Sequence, residues 1–108
     1  MPRDNHLDEL LADALDRRQG VSFKRMFGGR CWLLNGNMLC FAQEERFMFR
    51  VGKDAEPELL ELPGVEPMIH AGRRMGGFVF VEADAAIDEG LEVWVARASA
   101  FVGSLPPK

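Results

Sequence analysis

Asn35-Gly36, set between the apolar runs 31–34 and 38–41, restricts most tightly what this chain can become. A two-residue hairpin loop of type I′ needs positive φ at both central residues, and Asn and Gly adopt that conformation at least cost. The turn implies a register. With Asn35 and Gly36 as the loop, Leu34 is expected opposite Asn37, Leu33 opposite Met38, Trp32 opposite Leu39 and Cys31 opposite Cys40.

A second polar reversal centred on Glu44-Glu45 is expected to pair Ala42 with Phe47 and Cys40 with Phe49. Side chains alternate across a sheet, so two faces follow. One is expected to carry Cys31, Leu33, Met38, Cys40, Ala42, Phe47, Phe49 and Val51 and to form a core. The other is expected to carry Trp32, Leu34, Leu39 and Phe41 with Arg30, Arg46, Met48 and Arg50. That second set is too apolar for open water and too charged for a core. It implies a surface covered by another element, a second subunit or a ligand, with Trp32, Leu39, Phe41 and Met48, beside Arg25 and Arg30, as its interaction residues.

Upstream, Gly28-Gly29 interrupts a strand pattern, as glycines do at a bulge or a close backbone approach. A strand is expected from Val21 to Phe27, a kink at the glycine pair, and a new strand from Arg30. Before it, Leu7, Leu10, Leu11, Ala14 and Leu15 recur at helical spacing within about Asn5 to Arg18, with acids early and Arg17 and Arg18 late, which suits the helix dipole. After it, residues 56–62 read as a short acidic helix with Pro57 in its first turn. Val65 to Ala71 is an extended piece, Gly72 to Gly77 a turn-rich basic loop, and Phe78 to Val81 a strand. Leu91, Trp94, Val95, Ala98, Phe101 and Val102 then mark a final helix beginning after Asp88. Residues 1–4 and 103–108 are expected to be flexible tails.

Strands run consecutively and are bounded by helices, without βαβ alternation. This predicts an α+β fold over residues 1–108: an antiparallel meander of four to six strands flanked by an N-terminal and a C-terminal helix, plus a short middle helix. The 47% hydrophobic content, with eight Phe and two Trp, is enough for one core in 108 residues. Without an export signal or a bilayer-length apolar run, the chain is expected to be cytoplasmic and not to engage a membrane. Two cysteines make no disulfide framework in that setting, although their expected opposition would let them oxidise if the backbones approach closely.

Lys24-Arg25-Met26-Phe27-Gly28-Gly29, the Asn-Gly hairpin, the aromatic strand that follows, the later Phe78–Val81 strand and a closing helix with Leu91 and 94–98 together resemble the N-terminal domain of the TfoX (Sxy) family. Arg25, Met26, Phe27, Gly28 and Gly29 carry the motif, and the resemblance spans nearly the whole chain. It implies a secretion-chaperone-like α+β topology and, for full-length members, a link to the expression of DNA-uptake and competence genes. Those members carry a further helical C-terminal domain, so this chain is expected to be a stand-alone domain. Similar sequences lead from the aromatic strand into a proline where this one has Glu82-Ala83-Asp84, so the connection to the last helix is expected to differ.

No chemistry-bearing constellation stands out. The glycine clusters match no phosphate-binding pattern. His6, His70, Cys31 and Cys40 lack the paired spacing of a zinc site, and Ser22, Ser99 and Ser104 lack a nucleophile elbow. No catalytic, cofactor or metal residues are assigned. The leading expectation is a non-enzymatic, regulatory protein-interaction domain whose partner is another protein or a second copy. An alternative uses Lys24, Arg25, Arg30, Arg73 and Arg74 as a basic patch near DNA, less favoured because 13 basic against 17 acidic residues leave a net charge of −4. A further alternative is an enzyme or small-ligand binder with a pocket beside Gly28-Gly29.

Overall fold

The computed structural model describes residues 6–15, 18–26, 29–43 and 45–107. Helix α1 (His6–Leu15) precedes strands β1 (Val21–Met26), β2 (Gly29–Leu34), β3 (Asn37–Gln43) and β4 (Arg46–Arg50); then come helix α2 (Glu56–Leu59), strands β5 (Val65–His70) and β6 (Arg73–Glu82), and helices α3 (Ala83–Glu89) and α4 (Leu91–Val102). The strands form one six-stranded sheet in the order β1-β2-β3-β4-β6-β5, with every neighbouring pair antiparallel. The fold is α+β, as the pattern of elements predicts.

Asn35 and Gly36 take φ of 53° and 85°, the conformation a type I′ turn demands. Leu34 pairs with Asn37 and Leu33 with Met38 as expected, but the register then slips, so that Trp32 faces Cys40 and Cys31 faces Phe41. Leu39 is therefore an extra residue on β3, a bulge in a hairpin whose turn gives no warning of it. One inserted residue exchanges the faces of everything across from it. Trp32, Leu34 and Leu39 join Cys40, Phe47 and Phe49 under the helices, while Cys31, Leu33 and Met38 move to the opposite face with Phe41 and Met48. Beyond the bulge, the pairs Cys40 with Phe49 and Ala42 with Phe47 stand as the polar turn implied.

The main core lies between the sheet and the helices. Leu11 and Leu15 of α1 and Trp94, Val95, Ala98 and Val102 of α4 meet Leu39, Phe47, Phe49, Val79 and Val81, all essentially inaccessible to solvent. Trp94 stacks on Phe49 with ring centroids 5.4 Å apart and planes 18° from parallel. The helical periodicity of α4 is thus realised, and its aromatic stripe is what the sheet buries.

The connection before α4 is richer than expected. Residues 83–89 form α3, whose Ala83, Ala85 and Ala86 favour helix, and Gly90 at φ 108° separates it from α4. The stretch expected as a loop is mostly strand: Ala71 and Gly72 turn at φ of 53° and 79°, and β6 begins at Arg73. Pro67 pairs with Val79 but Ile69 pairs with Arg74, so β6 carries surplus residues there. Gly77, at φ 86°, lies in that surplus and acts as a node. Its carbonyl accepts the N–H groups of Val51 at 2.8 Å and Gly52 at 3.0 Å, and its N–H donates to Glu56 Oε1 at 2.9 Å.

The segment after α4 is tied down rather than frayed. Asn37 Nδ2 donates to the carbonyl of Pro106 at 3.0 Å, Ser104 Oγ to that of Phe101 at 2.6 Å, and Leu105 packs on the core.

Two glycine substitutions measure what the node contributes. Gly72→Ala meets nothing within 4 Å, so only its left-handed φ opposes it, at a cost of about 1–2 kcal/mol. The methyl of Gly77→Ala would stand 3.1 Å from backbone atoms of Gly52 and Lys53 that no rotamer change can move, so a larger loss is expected. Equal urea midpoints for the two variants would show that the node is dispensable.

Candidate interaction site

Strand β1 is outermost in the sheet and, among the described residues, bonded on one side only, to β2, which leaves its other edge open. An unpaired row of backbone N–H and C=O groups is a template for another extended chain. The side chains along this margin follow from the register. Phe23 pairs with Trp32 and Arg25 with Arg30, which places all four on the helix side of the sheet, while Lys24 pairs with Cys31 and faces the other way. Phe23 remains 45% exposed, and its ring lies 5.0 Å from that of Trp32 at a 54° tilt. The Arg30 guanidinium sits over both rings, 5.2 Å from the Phe23 centroid and 5.9 Å from that of Trp32, a cation–π arrangement.

Arg25 and Arg30 are cross-strand partners of like charge. Such a pair destabilises a sheet by a few tenths of a kcal/mol up to about 1 kcal/mol. Among the described residues none of Lys24, Arg25 and Arg30 forms an ion pair, although the chain carries an excess of acids. An uncompensated cationic margin on an acidic protein therefore borders an open strand edge.

The surface expected from Trp32, Leu39, Phe41 and Met48 does not exist as such. All four are buried, with exposures of 7, 0, 2 and 0%, and the bulge at Leu39 sends Trp32 and Leu39 to the helix side and Phe41 and Met48 to the other. Met48 lies in a second, smaller core with Cys31, Phe41 and Phe80, flanked by Leu33, Met38, Met68 and Phe78. The Arg46 guanidinium closes over Phe80 at 3.6 Å and approaches Glu66 at 4.0 Å. The sheet thus covers its own second face with long side chains. Of the expected set, Arg25 and Arg30 remain at the surface, exposed and half-buried respectively. Phe23, not singled out by the sequence, joins them.

The expected basic patch is also divided. Arg73 and Arg74 open β6, on the β5 side of the sheet, with β2, β3 and β4 between β6 and β1. Arg74 is engaged by the buried Glu56 carboxylate at 3.0 Å. At about 4.8 Å per strand these cations stand too far from Lys24 and Arg25 to act as one patch.

Met26 pairs with Gly29, so the motif read as a kink spans a reversal between two antiparallel strands; Phe27 and Gly28 themselves, and with them part of the pocket expected there, lie outside the described residues. The TfoX N-terminal domain model matches residues 13–102, an interval that takes in both β1 and the six-stranded sheet. The chain belongs to that family. No curated protein and no solved structure matches it. In this TfoX N-terminal domain no described helix is long and apolar enough to cross a membrane. Among the described residues no three His, Cys, Asp or Glu side chains converge as metal ligands.

The bulge also separates the cysteines. Cys31 and Cys40 are free, buried, and on opposite faces of the sheet. Burial raises both thiol pKa values above the ordinary 9.0; the charge of Lys24 partly offsets this at Cys31, and proximity to Cys31 adds to it at Cys40. Neither is an activated thiolate.

Three outcomes are expected from the thiols. A thiol reagent at mildly alkaline pH leaves the native protein unlabelled and labels both cysteines in denaturant, and oxidation forms no intramolecular bond. Because the folded thiols titrate above the unfolded ones, their contribution to stability is full below pH 9 and declines as pH rises beyond the unfolded value. Rapid native labelling would contradict the burial of the thiols, and an intramolecular disulfide would contradict the placement of the bulge.

Proposed function

We propose that this TfoX N-terminal domain is a non-enzymatic, regulatory protein-interaction module that takes up an acidic, extended segment of a partner protein along the open edge of β1. The observation that carries this is the conjunction at one margin of an unpaired strand edge, the opposed Arg25 and Arg30, and the exposed Phe23 ring under the Arg30 guanidinium. In strand addition the backbone supplies affinity and the alternating side chains supply selectivity. Phe23 would anchor an apolar residue of the incoming strand, and Lys24, Arg25 and Arg30 would meet its carboxylates. A regulatory role in the expression of DNA-uptake genes, as the family resemblance suggests, would be exerted through such a partner. Burial of both thiols, the strongest nucleophiles in the chain, supports a binding role over a catalytic one.

A second copy of the chain is the competing occupant. Two β1 edges docked antiparallel would bring Lys24 and Arg25 of each copy together, which disfavours that pairing at low salt. The opposite edge, β5, is interrupted by Pro67 and by a register shift.

Arg25→Glu separates function from folding. It turns a repulsive cross-strand pair into an attractive one, so stability is expected to rise by roughly 0.5 kcal/mol. Selection from a random peptide library should enrich acidic, extended binders on the wild type, and Arg25→Glu should release them despite its greater stability. Binders without acidic bias, or equal retention by the variant, would reject the proposal. Sedimentation showing a dimer that tightens with added salt and with Arg25→Glu, as relief of cation repulsion across two β1 edges requires, would reject the acidic partner and assign the edge to a second copy.

A further inference from the structure

The Gly77 node borders a cavity that neither core absorbs. Its volume is about 360 Å³, within the lower range of small-ligand sites, and it lies where the end of β4 and the start of α2 face the surplus residues of β6. Its walls divide by chemistry. Phe78, Phe101, Val51 and Ala55 supply apolar surface, while Arg50 and Lys53 bring two cations against the single acid Asp54.

Each cation is held in place without being neutralised. The Arg50 guanidinium lies over two rings, 5.2 Å from the Phe78 centroid and 5.7 Å from that of Phe101. The Lys53 stem crosses the bare backbone of Gly76, its Cε 3.0 Å from where a β-carbon would stand. Neither forms an ion pair among the described residues. A second acid next to the cavity, Glu56, is committed elsewhere: it is 5% exposed, accepts the Gly77 N–H at 2.9 Å and pairs with Arg74 at 3.0 Å. Arg50 thus rests against two of the aromatic residues that line the cavity, and its guanidinium keeps its hydrogen-bonding edge while its face meets the rings.

We infer that this cavity is a binding site for a small oxyanion with a planar, apolar body, a carboxylate or a phosphate ester. The oxyanion would accept charge-assisted hydrogen bonds from Arg50 and Lys53, and the ring would lie against Phe78 and Phe101. This site is formed by β4, β6 and α4 rather than β1, so it stands or falls independently of the proposed peptide edge.

Three probes test it: benzoate, phenyl phosphate, and benzamide as the uncharged counterpart of benzoate. In amide-resolved NMR titrations of the full chain, the two anions should shift the signals of Gly52, Lys53, Gly76 and Gly77 saturably, and benzamide should not. Tighter binding of phenyl phosphate than of benzoate would assign the natural ligand to phosphate esters, and the reverse order to carboxylates. Lys53→Gln and Arg50→Gln should each weaken binding by about tenfold or more, the loss of one charge-assisted contact. Lys53 is exposed, so its variant folds even if the Arg50 variant does not, and Lys53→Arg should restore binding. Absence of a saturable shift, equal shifts from benzamide, or wild-type affinity in Lys53→Gln would each overturn the assignment.

Discussion

One inserted residue governs how this domain is arranged. The extra position at Leu39 lets β3 present Leu39 and Cys40 in succession to the helices, and it determines which side of the sheet receives β2. Trp32 and Leu34 enter the main core because of it, and Cys31 and Leu33 leave it. The same displacement swings Arg30 with Trp32 to the helix side, where it meets Phe23 and faces Arg25. Separation of the thiols and placement of the cationic margin on the helix side are therefore two consequences of a single local irregularity, while the apposition of Arg25 and Arg30 itself follows from the regular pairing of β1 with β2. Bulges recur beside functional surfaces because they re-aim side chains without altering the rest of the ladder.

A second irregularity does comparable work at the far side of the sheet. The surplus residues of β6 place Gly77 where its carbonyl takes two N–H groups from the end of β4 and its own N–H reaches the Glu56 carboxylate. Burying a carboxylate is costly unless its oxygens are hydrogen-bonded, and here a backbone amide and Arg74 meet that requirement. The arrangement leaves Arg50 and Lys53 beside a cavity with the nearest buried acid already engaged. In both places cations stand beside an interruption of regular pairing without an ion-pair partner among the described residues.

A sheet with helices on one face would ordinarily leave the other face wet. Here Cys31, Phe41, Met48 and Phe80 are buried there without a second layer of helices among the described residues, because Met38, Met68, Phe78 and the Arg46 guanidinium fold over them. Long flexible side chains cover apolar surface while keeping their polar ends in water. This resolves the apparent contradiction of a face both apolar and charged: the Arg46 guanidinium is part of its cover, beside methionine and phenylalanine side chains.

Much of the architecture was legible in the chain. The hairpin at Asn35-Gly36, the pairing of β3 with β4, the amphipathic α1 and the aromatic stripe of α4 rest on local chemistry: φ preferences, a polar two-residue reversal and helical periodicity all act within a few residues. The identity of the two sheet faces was not legible, nor was the strand running from Arg73 to Gly77, because bulges depend on how distant elements pack and leave no mark on local propensity. Arg25 and Arg30 could be named from sequence, yet their opposition, the exposure of Phe23 and the isolation of Arg73 and Arg74 required the strand order. Local residues determined which segments become strands and helices; only tertiary packing decided which side each strand shows, since a shift of one position costs little in backbone pairing and reverses every side chain it carries.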